Sequence, residues 1–273
     1  MVVLFAAPAT PMPVLGIFYP GETAGFFLIF MLGLLIYVFS RRAGTGKRVP
    51  SIRKIPGLES IDEAIGRATE MGKAVHYSIG IGGVTAADTM ASWPILEYVA
   101  RTCAKYDTKL VQTNRNYLVY GVCDEIIKQA YVAVGKPESY NPNDVRWYSD
   151  SQWGYSTAVL GYMNRDKPST NFMFGSFAAE TLLLAEAGAV LGCMQIAGTT
   201  NILQIPFFVA TCDYTLLGEE LYAASAYISK DPVLVGTVVA QDIMKMLIAA
   251  VTLVGGIFAT FKADKWLKNL FAK

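Results

Sequence analysis

Two sequence features could form a ligand site, and the first is the glycine-rich turn Gly80-Ile81-Gly82-Gly83. It lies between a predicted strand and a predicted helix, where glycines let the backbone approach a ligand and the helix N–H groups can bind an anion. The spacing falls short of the dinucleotide-binding pattern, because Thr85 stands where that pattern has its third glycine. The turn is therefore a candidate anion-binding loop or a structural tight turn, and we favour the second interpretation.

The second feature is a set of polar residues at the carboxyl ends of the predicted strands. In a parallel sheet these ends form the crevice in which ligands bind. Together with the glycines, the candidate ligand-binding residues are Gly80, Gly82, Gly83, Asn114, Asp150, Ser176, Thr199, Thr200 and Asn201. The alternative is that residues such as Asp150, Ser176 and Asp213 cap the helices that follow them.

No catalytic constellation accompanies these residues. His76 is the only histidine, and its position inside a predicted strand favours a buried, hydrogen-bonded role over a catalytic one. Glu180 and Glu186 are six positions apart, so on a helix they point to opposite sides, and we expect structural or subunit contacts from them. The four cysteines form no Cys-x-x-Cys pair and are expected to be reduced. We predict no metal and no cofactor.

The composition excludes several classes of protein. Apolar types make up 53% of the 273 residues and charged types only 16%, well below the roughly 25% of a soluble domain. The net charge is +1, and no basic face suggests a nucleic-acid partner. Only two apolar runs have a length near that of a membrane span, which excludes a many-helix transporter.

The first run, residues 23–40, has no charge and predicts a transmembrane helix. Basic residues follow it and none precedes it, so we expect residues 1–22 outside the cytoplasm and the following chain inside it. Four of these basic residues, in the linker 41–56, are candidate contacts for lipid headgroups: Arg41, Arg42, Lys47 and Arg48. The alternative is a stop-transfer signal only.

The second run, residues 246–261, is short for a span, and Asp242 and Lys245 stand just before it. It predicts either a second span or a helix that dips into the membrane, and we favour the span. The expected organisation is then a cytoplasmic domain at 57–231, a C-terminal helix at 232–261 that spans the membrane in its second half, and a basic amphipathic tail at 262–273.

The pattern between these runs predicts a Rossmann-like α/β fold with helices on both faces of a mainly parallel sheet. Helices are predicted at 60–71, with Ser60 and Glu63 as a capping box, and at 86–105, 116–134, 152–164, 177–188 and 214–228. We expect Pro94 to kink or restart the second of these. Strands are predicted at 74–79, 109–113, 145–149, 170–175, 191–197 and 206–211. The connection at 198–205, between the last two predicted strands, is too short for a crossover helix. We therefore expect these two strands to be antiparallel and the sheet to be mixed.

Three stretches resemble an uncharacterised prokaryotic family of membrane proteins, known as a domain of unknown function. They are residues 171–199, residues 207–227, and His76-Tyr77 before the glycine-rich turn. The resemblance implies a membrane-anchored α/β architecture from about Gly57 to the second apolar run. It implies no activity, and no catalytic or cofactor residue.

These features favour a structural subunit at the cell membrane, with a cytoplasmic Rossmann-like domain that self-associates or joins a larger membrane complex. Its partners would be the lipid bilayer and either further copies of the chain or other subunits. The alternative is a membrane-anchored module that binds a nucleotide or another small anionic ligand at the strand ends. A hydrolase or transferase with Asp150 or Glu180 as base has the least support.

Overall fold

The computed structural model of the protein describes residues 23–44 and 56–260. The chain divides into two compact units, one formed by residues 51–230 and the other by residues 1–50 with 231–273. Along the described residues the α-helices are α1 Thr23–Gly44, α2 Pro56–Glu70, α3 Ala87–Lys105, α4 Tyr117–Val134, α5 Gln152–Asp166, α6 Glu180–Val190, α7 Ile205–Thr211, α8 Glu220–Ser229 and α9 Pro232–Thr260.

The unit at residues 51–230 is built on one six-stranded sheet. Its strands are β1 Val75–Gly80, β2 Leu110–Asn114, β3 Val145–Trp147, β4 Thr170–Ser176, β5 Met194–Thr199 and β6 Tyr214–Leu217. The strands run in the order β3-β2-β1-β4-β5-β6, and every neighbouring pair is parallel. This is the strand order of the doubly wound dinucleotide-binding fold. The α/β fold with helices beside a parallel sheet is thus confirmed.

The expected antiparallel pair, and with it the mixed sheet, is wrong. Residues 206–211 form helix α7 instead of a strand, with Pro206 in its first turn, where the missing N–H is tolerated. The predicted helix 214–228 begins only at Glu220, because its first four residues are the short edge strand β6. Helix α7 therefore supplies the crossover that a parallel β5–β6 pair requires.

One local prediction in the helices also fails, and of the kink or restart expected at Pro94 the restart is wrong while the kink stays a prediction. Helix α2 begins at Pro56, so Ser60 is a buried residue inside the helix and no capping box forms there with Glu63. Helix α3 continues from Ala87 to Lys105 with Pro94 inside it, so the helix does not restart at this proline. Packing on the sheet on both sides of Pro94 accounts for its continuity, since Ser92, Ile95 and Leu96 are all buried.

Two hydrophobic cores lie on the two faces of the sheet. One core joins the sheet to α2, α3, α4 and α8, and the other joins it to α5, α6 and α7. The alternation of side chains along a strand separates them, since Tyr77 and Ile79 belong to the first core while Met173 and Ala197 belong to the second. The helices change faces between β1 and β4, which makes the carboxyl ends of these two strands the topological switch point.

The second unit contains α1 and α9, which pack against each other. Gly236, near the start of α9, lies against the backbone of Ser40, near the end of α1, so the two helices run in opposite directions. Of the residues described, one helix is long and apolar enough to cross a membrane, Pro232–Ile257 in α9. The predicted transmembrane helix at 23–40 does form a helix, α1, but its role as a second span is not established.

A row of buried polar side chains crosses the face of the sheet under α5. His76 Nδ1 lies 2.8 Å from Asn171 Oδ1, and its Nε2 lies 3.0 Å from the Thr113 hydroxyl. The Asn171 amide donates to Gln195 Oε1 at 2.9 Å, so its own oxygen is the acceptor for His76 Nδ1–H. Nε2 is then left to accept from Thr113. The prediction that His76 is buried and hydrogen-bonded is confirmed.

This row makes stability depend on pH. Burial lowers the pKa of His76 from 6.5 to about 4, because the charged imidazolium loses its hydration. The unfolded chain therefore binds a proton below pH 6.5 that the folded chain refuses until about pH 4. The stability due to neutral His76 is complete above pH 6.5 and is lost as the pH falls toward 4, by on the order of 3 kcal/mol.

We predict that His76→Gln flattens this part of the stability profile. Glutamine is neutral at all pH values and can still donate and accept in the row. The measurement is urea unfolding of the full chain in mild detergent between pH 7 and pH 4, followed by near-ultraviolet circular dichroism. Carboxylates titrate in both proteins, so the difference in slope is the readout. Parallel profiles for the two proteins would contradict the assignment.

Candidate functional site

The glycine-rich turn closes directly against strand β4. The Ile81 N–H donates to the Ser176 carbonyl at 2.8 Å. Gly80 has a left-handed φ of 78°, and a Cβ there would lie 2.1 Å from the Ser176 carbonyl oxygen. Gly175 has the reciprocal contact, since its Cβ would lie 2.4 Å from the Ile79 carbonyl oxygen. These glycines are required by backbone contact between β1 and β4.

Side chains fill the space beside the turn. A Cβ on Gly82 would lie 2.2 Å from the Thr89 hydroxyl and 2.8 Å from the Ser176 Cβ. Gly83, by contrast, has no atom within 4 Å of its Cβ position. The switch point, where a doubly wound fold binds its ligand, is thus occupied by this chain's own residues at Gly80 and Gly82 and is open only at Gly83.

The other predicted site residues lie at the same end of the sheet, where the strands have their carboxyl ends. Most of them form hydrogen bonds with one another and with neighbouring backbone. The Asn114 side chain is buried and pairs with Gln112. The Thr199 hydroxyl accepts from the Asn201 N–H, and the Asn201 amide donates to the Phe177 carbonyl at 2.9 Å. Thr200 donates to Asp88 at 2.6 Å. Their role as ligand contacts stays a prediction.

The helix-capping alternative does not hold for these residues. Helix α5 begins after Ser151 and α6 after Ala179, so neither Asp150 nor Ser176 is in the N-cap position. Asp213 precedes strand β6 and accepts from the Gln195 N–H at 2.7 Å. The backbone carbonyl of Asp150 accepts a hydrogen bond from Arg115 Nε at 2.7 Å. Asp150 itself is an exposed residue.

Sequence reasoning did not identify Arg115, which connects two loops of this edge. Its guanidinium donates to the Asp150 carbonyl and, at 2.8 Å, to the Ile81 carbonyl in the glycine-rich turn. Its position directly after β2 was the available signal. Both acceptors are carbonyls more than 30 residues away along the chain, so the pairing itself leaves no pattern in the sequence.

Glu180 is fully buried, and Glu186 is exposed on the other side of α6, as their spacing predicted. One oxygen of Glu180 accepts from the Ala178 N–H at 3.0 Å and the other from the Gln152 amide at 2.6 Å. The carboxylate therefore joins the loop after β4 to the start of α5. This is the structural role expected for it, and the N-terminus of α6 favours its negative charge.

Asp88 occupies the first turn of α3, beside the glycine-rich turn. Its carboxylate accepts from Thr200 and, at 2.8 Å, from the Tyr222 hydroxyl. A fixed negative charge thus stands where a ligand anion would bind. One residue further, the Thr89 hydroxyl is fully buried with no hydrogen-bond partner in the structure. Among the described residues, no group of three His, Cys, Asp or Glu side chains could hold a metal ion.

The most exposed aromatic side chains at the carboxyl ends of the strands lie at one corner of the sheet, where β2 and β3 end. Tyr117 is 62% exposed, Trp147 is 42% exposed, and their rings meet edge to face at 5.8 Å. Leu118 and Trp153, at the starts of α4 and α5, are similarly exposed. We call Tyr117, Leu118 and Trp147 the aromatic corner. Tyr117 and Trp147 line a groove of about 500 Å³ together with Tyr120, Pro142, Arg146 and Tyr148.

The aromatic corner lies far from the points where the chain enters and leaves this unit. Gly57, at the start of α2, packs on Leu216 of β6, and Leu58 shares a pocket with Ile228 and Lys230 at the end of α8. Both chain ends therefore lie near the β6 edge, and β3 is the opposite edge. Five strand spacings of ~4.8 Å separate the two edges, which is about 24 Å.

Two of the four candidate lipid contacts can be placed. Arg41 and Arg42, in the last turn of α1, are exposed, and their guanidinium groups lie over the rings of Tyr37 and Phe39 at 5.5 and 5.9 Å. Such cation–π contacts bring basic and aromatic groups to one helix end, as at a membrane interface. Lys47 and Arg48 lie outside the described residues.

Comparison with known proteins gives one match. A family model described as a domain of unknown function, DUF6754, matches residues 15–271. No curated protein and no solved structure matches the chain. The expectation of a family of unknown function is confirmed, and the match shows neither a prokaryotic origin nor a membrane location.

The closed turn makes a prediction about two of its glycines. Gly80→Ala should lower the free energy of unfolding by about 2 kcal/mol or more, because it combines a left-handed backbone with overlap on a carbonyl. Gly83→Ala is the matched control and should change stability by less than about 0.5 kcal/mol. Urea unfolding of the full chain in detergent measures both. Equal effects of the two substitutions would contradict a turn that is closed at Gly80 and open at Gly83.

Proposed function

We propose that this chain, which belongs to the DUF6754 family of domains of unknown function, is a membrane-anchored assembly subunit. In this proposal α1 and α9 anchor the chain, and the α/β unit binds a protein partner through the aromatic corner. The observation that carries the proposal is the pair of exposed aromatic rings, Tyr117 and Trp147, which contact each other and line a groove. Aromatic side chains of this kind are enriched at the energetic centres of protein interfaces.

The chemistry of the corner supports a protein partner. Tyr and Trp bury large areas with few rotatable bonds, so little conformational entropy is lost on binding. Tyr117 also stacks on Tyr120 at 5.9 Å, which holds the ring in place before a partner arrives. Trp147 Nε1 donates to the Arg115 carbonyl at 2.9 Å, so its indole is fixed as well. A preorganised apolar surface is therefore available without a change of fold.

The switch point favours this function over catalysis. Gly80 and Gly82 are closed against Ser176 and Thr89, and Asp88 already supplies a negative charge at the start of α3. A substrate there would have to displace contacts of the chain itself. The aromatic corner requires no such displacement, since its side chains are already exposed.

The membrane anchor is supported by the surface of the helix pair. The stretch Pro232–Ile257 is apolar and mostly unburied, unlike the core helix of a soluble protein. On α1, Ile29 and Phe30 are 73% and 63% exposed. Such apolar surface is stable in hydrocarbon and unfavourable in water. The basic end of α1 then lies on the cytoplasmic side, which would place the α/β unit in the cytoplasm.

We predict that replacing two exposed side chains of the corner prevents assembly. The double variant Tyr117→Ser with Leu118→Ser should reduce the recovery of co-purifying protein from gently solubilised membranes by about tenfold or more, the change that about 1.4 kcal/mol produces. Both side chains are mostly exposed, so the fold should remain intact.

The control exchanges two exposed apolar side chains away from the corner, Val132→Ser with Val190→Ser. It removes similar apolar character from the surface and should leave assembly unchanged. Circular dichroism checks that both double variants are folded. Full recovery of the partner with the corner variant would contradict the proposal, as would equal losses with both variants.

A second candidate function, binding of a small anion at the start of α3, is favoured by one observation. The Thr89 hydroxyl is buried without a partner, and Ala86 provides no side-chain cap to the helix. If a phosphate group reaches this point, millimolar inorganic phosphate or ATP should raise the melting temperature of the full chain. Thr89→Val should abolish that shift. No shift with the unaltered chain would exclude this function.

A further inference from the structure

Helix α9 carries two charged residues in the middle of an apolar sequence. Asp242 and Lys245 are one turn apart, with their charged atoms 3.9 Å from each other. Their side chains are 63% and 50% exposed. They lie ten and thirteen residues into the stretch Pro232–Ile257, which is ~15 and ~20 Å along a helix of ~39 Å.

The contact with α1 relates these charges to the membrane surface. The uncharged sequence of α1 ends at Ser40, directly before Arg41 and Arg42, so Ser40 marks the level at which α1 meets the interface. Gly236 of α9 packs on Ser40. Because the helices are antiparallel, Asp242 and Lys245 lie about 9 and 14 Å deeper than this level.

We propose that the face of α9 with Asp242 and Lys245 packs, within the membrane, against the same face of a second copy of the chain. The inference rests on the proposed membrane anchor. Charged side chains at this depth are unfavourable next to lipid and are found facing other protein. An interface between copies removes both charges from lipid and brings each next to an opposite charge.

The charge pattern identifies the occupant as a second copy. A two-fold interface brings the same surface from both chains, so it is stable only if that surface is complementary to itself. One acidic and one basic residue on one face meet this condition. Asp242 of each copy pairs with Lys245 of the other, because the long lysine side chain covers the one-turn offset along parallel helices. A surface of one sign would need a different protein opposite it.

The residues further along the same face support close packing. At 100° per residue, Ala249, Thr252 and Gly256 lie within about 80° of Asp242 around the helix. All three are at exposed or half-buried positions, and small residues let membrane helices approach closely. Ala240 and Met244 lie about 160° from Asp242, on the opposite side of α9, and are buried in the unit in which α9 packs on α1. The two sides of the helix thus serve two different contacts.

Cysteine cross-linking in intact membranes tests the contact. Ala249→Cys, on the proposed face, should give a disulfide-linked species of twice the chain mass after mild oxidation. The matched control, Val251→Cys, lies two residues along and ~200° around the helix, also at an exposed position, and should stay monomeric. The parent chain, with its four free cysteines in the α/β unit, provides the background.

Charge exchange tests the pairing itself in the Ala249→Cys chain. Asp242→Lys brings four lysines together, so the yield of cross-linked dimer should fall about tenfold or more, which corresponds to about 1.4 kcal/mol. The double exchange Asp242→Lys with Lys245→Asp keeps the surface self-complementary and should restore the dimer. If the two charged residues do not pair between copies, the double variant would not recover the yield of cross-linked dimer.

The outcomes separate the contact from the anchor. If the thiol introduced by Ala249→Cys resists a membrane-impermeant maleimide but gives no dimer, the anchor stands and the contact between copies is wrong. If that thiol reacts freely with the maleimide and the chain is released by alkaline carbonate, the anchor itself is wrong. Equal cross-linking at positions 249 and 251, or a cross-link to a different protein, would also overturn the proposal.

Discussion

The close approach of β1 and β4 at their carboxyl ends is the constraint on which the functional account depends. Gly80 and Gly175 face backbone carbonyls of the opposite strand at distances that leave no room for a Cβ. In a doubly wound sheet this junction is the ligand crevice. Here Thr89 and Ser176 close it beside Gly82, and Asp88 places a negative charge next to it. The accessible surface of this edge lies elsewhere, above all at the aromatic corner.

The two lateral edges of the sheet carry different features. The chain enters and leaves the α/β unit near β6, while the aromatic corner lies beyond β3. The polar row through His76, Thr113 and Asn171 lies between them, buried and hydrogen-bonded, and fixes the lateral register of β2, β1 and β4. The α/β unit therefore exposes the aromatic corner at the lateral edge opposite the one at which the chain enters and leaves it.

Much of the fold follows from the sequence, because long elements carry their own periodicity. The strand predicted at 74–79 and the helix predicted at 116–134 match β1 and α4 within about one residue at each end. The strand predicted at 206–211 was wrong because a short apolar run fits a strand and a helix equally well. Strand β6 has only four residues, too few to show an alternation. The capping box predicted at Ser60 was wrong because the helix already begins at Pro56, four residues earlier.

The sequence allowed the position of the candidate site in the sheet to be predicted, but not the hydrogen-bond partners of its residues. Topology brings Thr199, Asn201 and Ser176 to one edge, as expected. Their partners come from distant parts of the chain: Thr200 meets Asp88 across 112 positions, and Tyr222 meets it across 134. No local pattern encodes such pairs. The aromatic residues of 147–162 likewise show no local sign of which are exposed: Tyr155 and Tyr162 are buried, whereas Trp147 and Trp153 are exposed.

The most direct test of the central claim is the mass of the native particle, extracted gently from its own membrane and measured by mass photometry. We predict a defined particle that contains at least two copies of the 29.7 kDa chain together with a partner protein. A homogeneous particle with a single copy and no partner would contradict an assembly role. The start of α3 would then be the site to pursue.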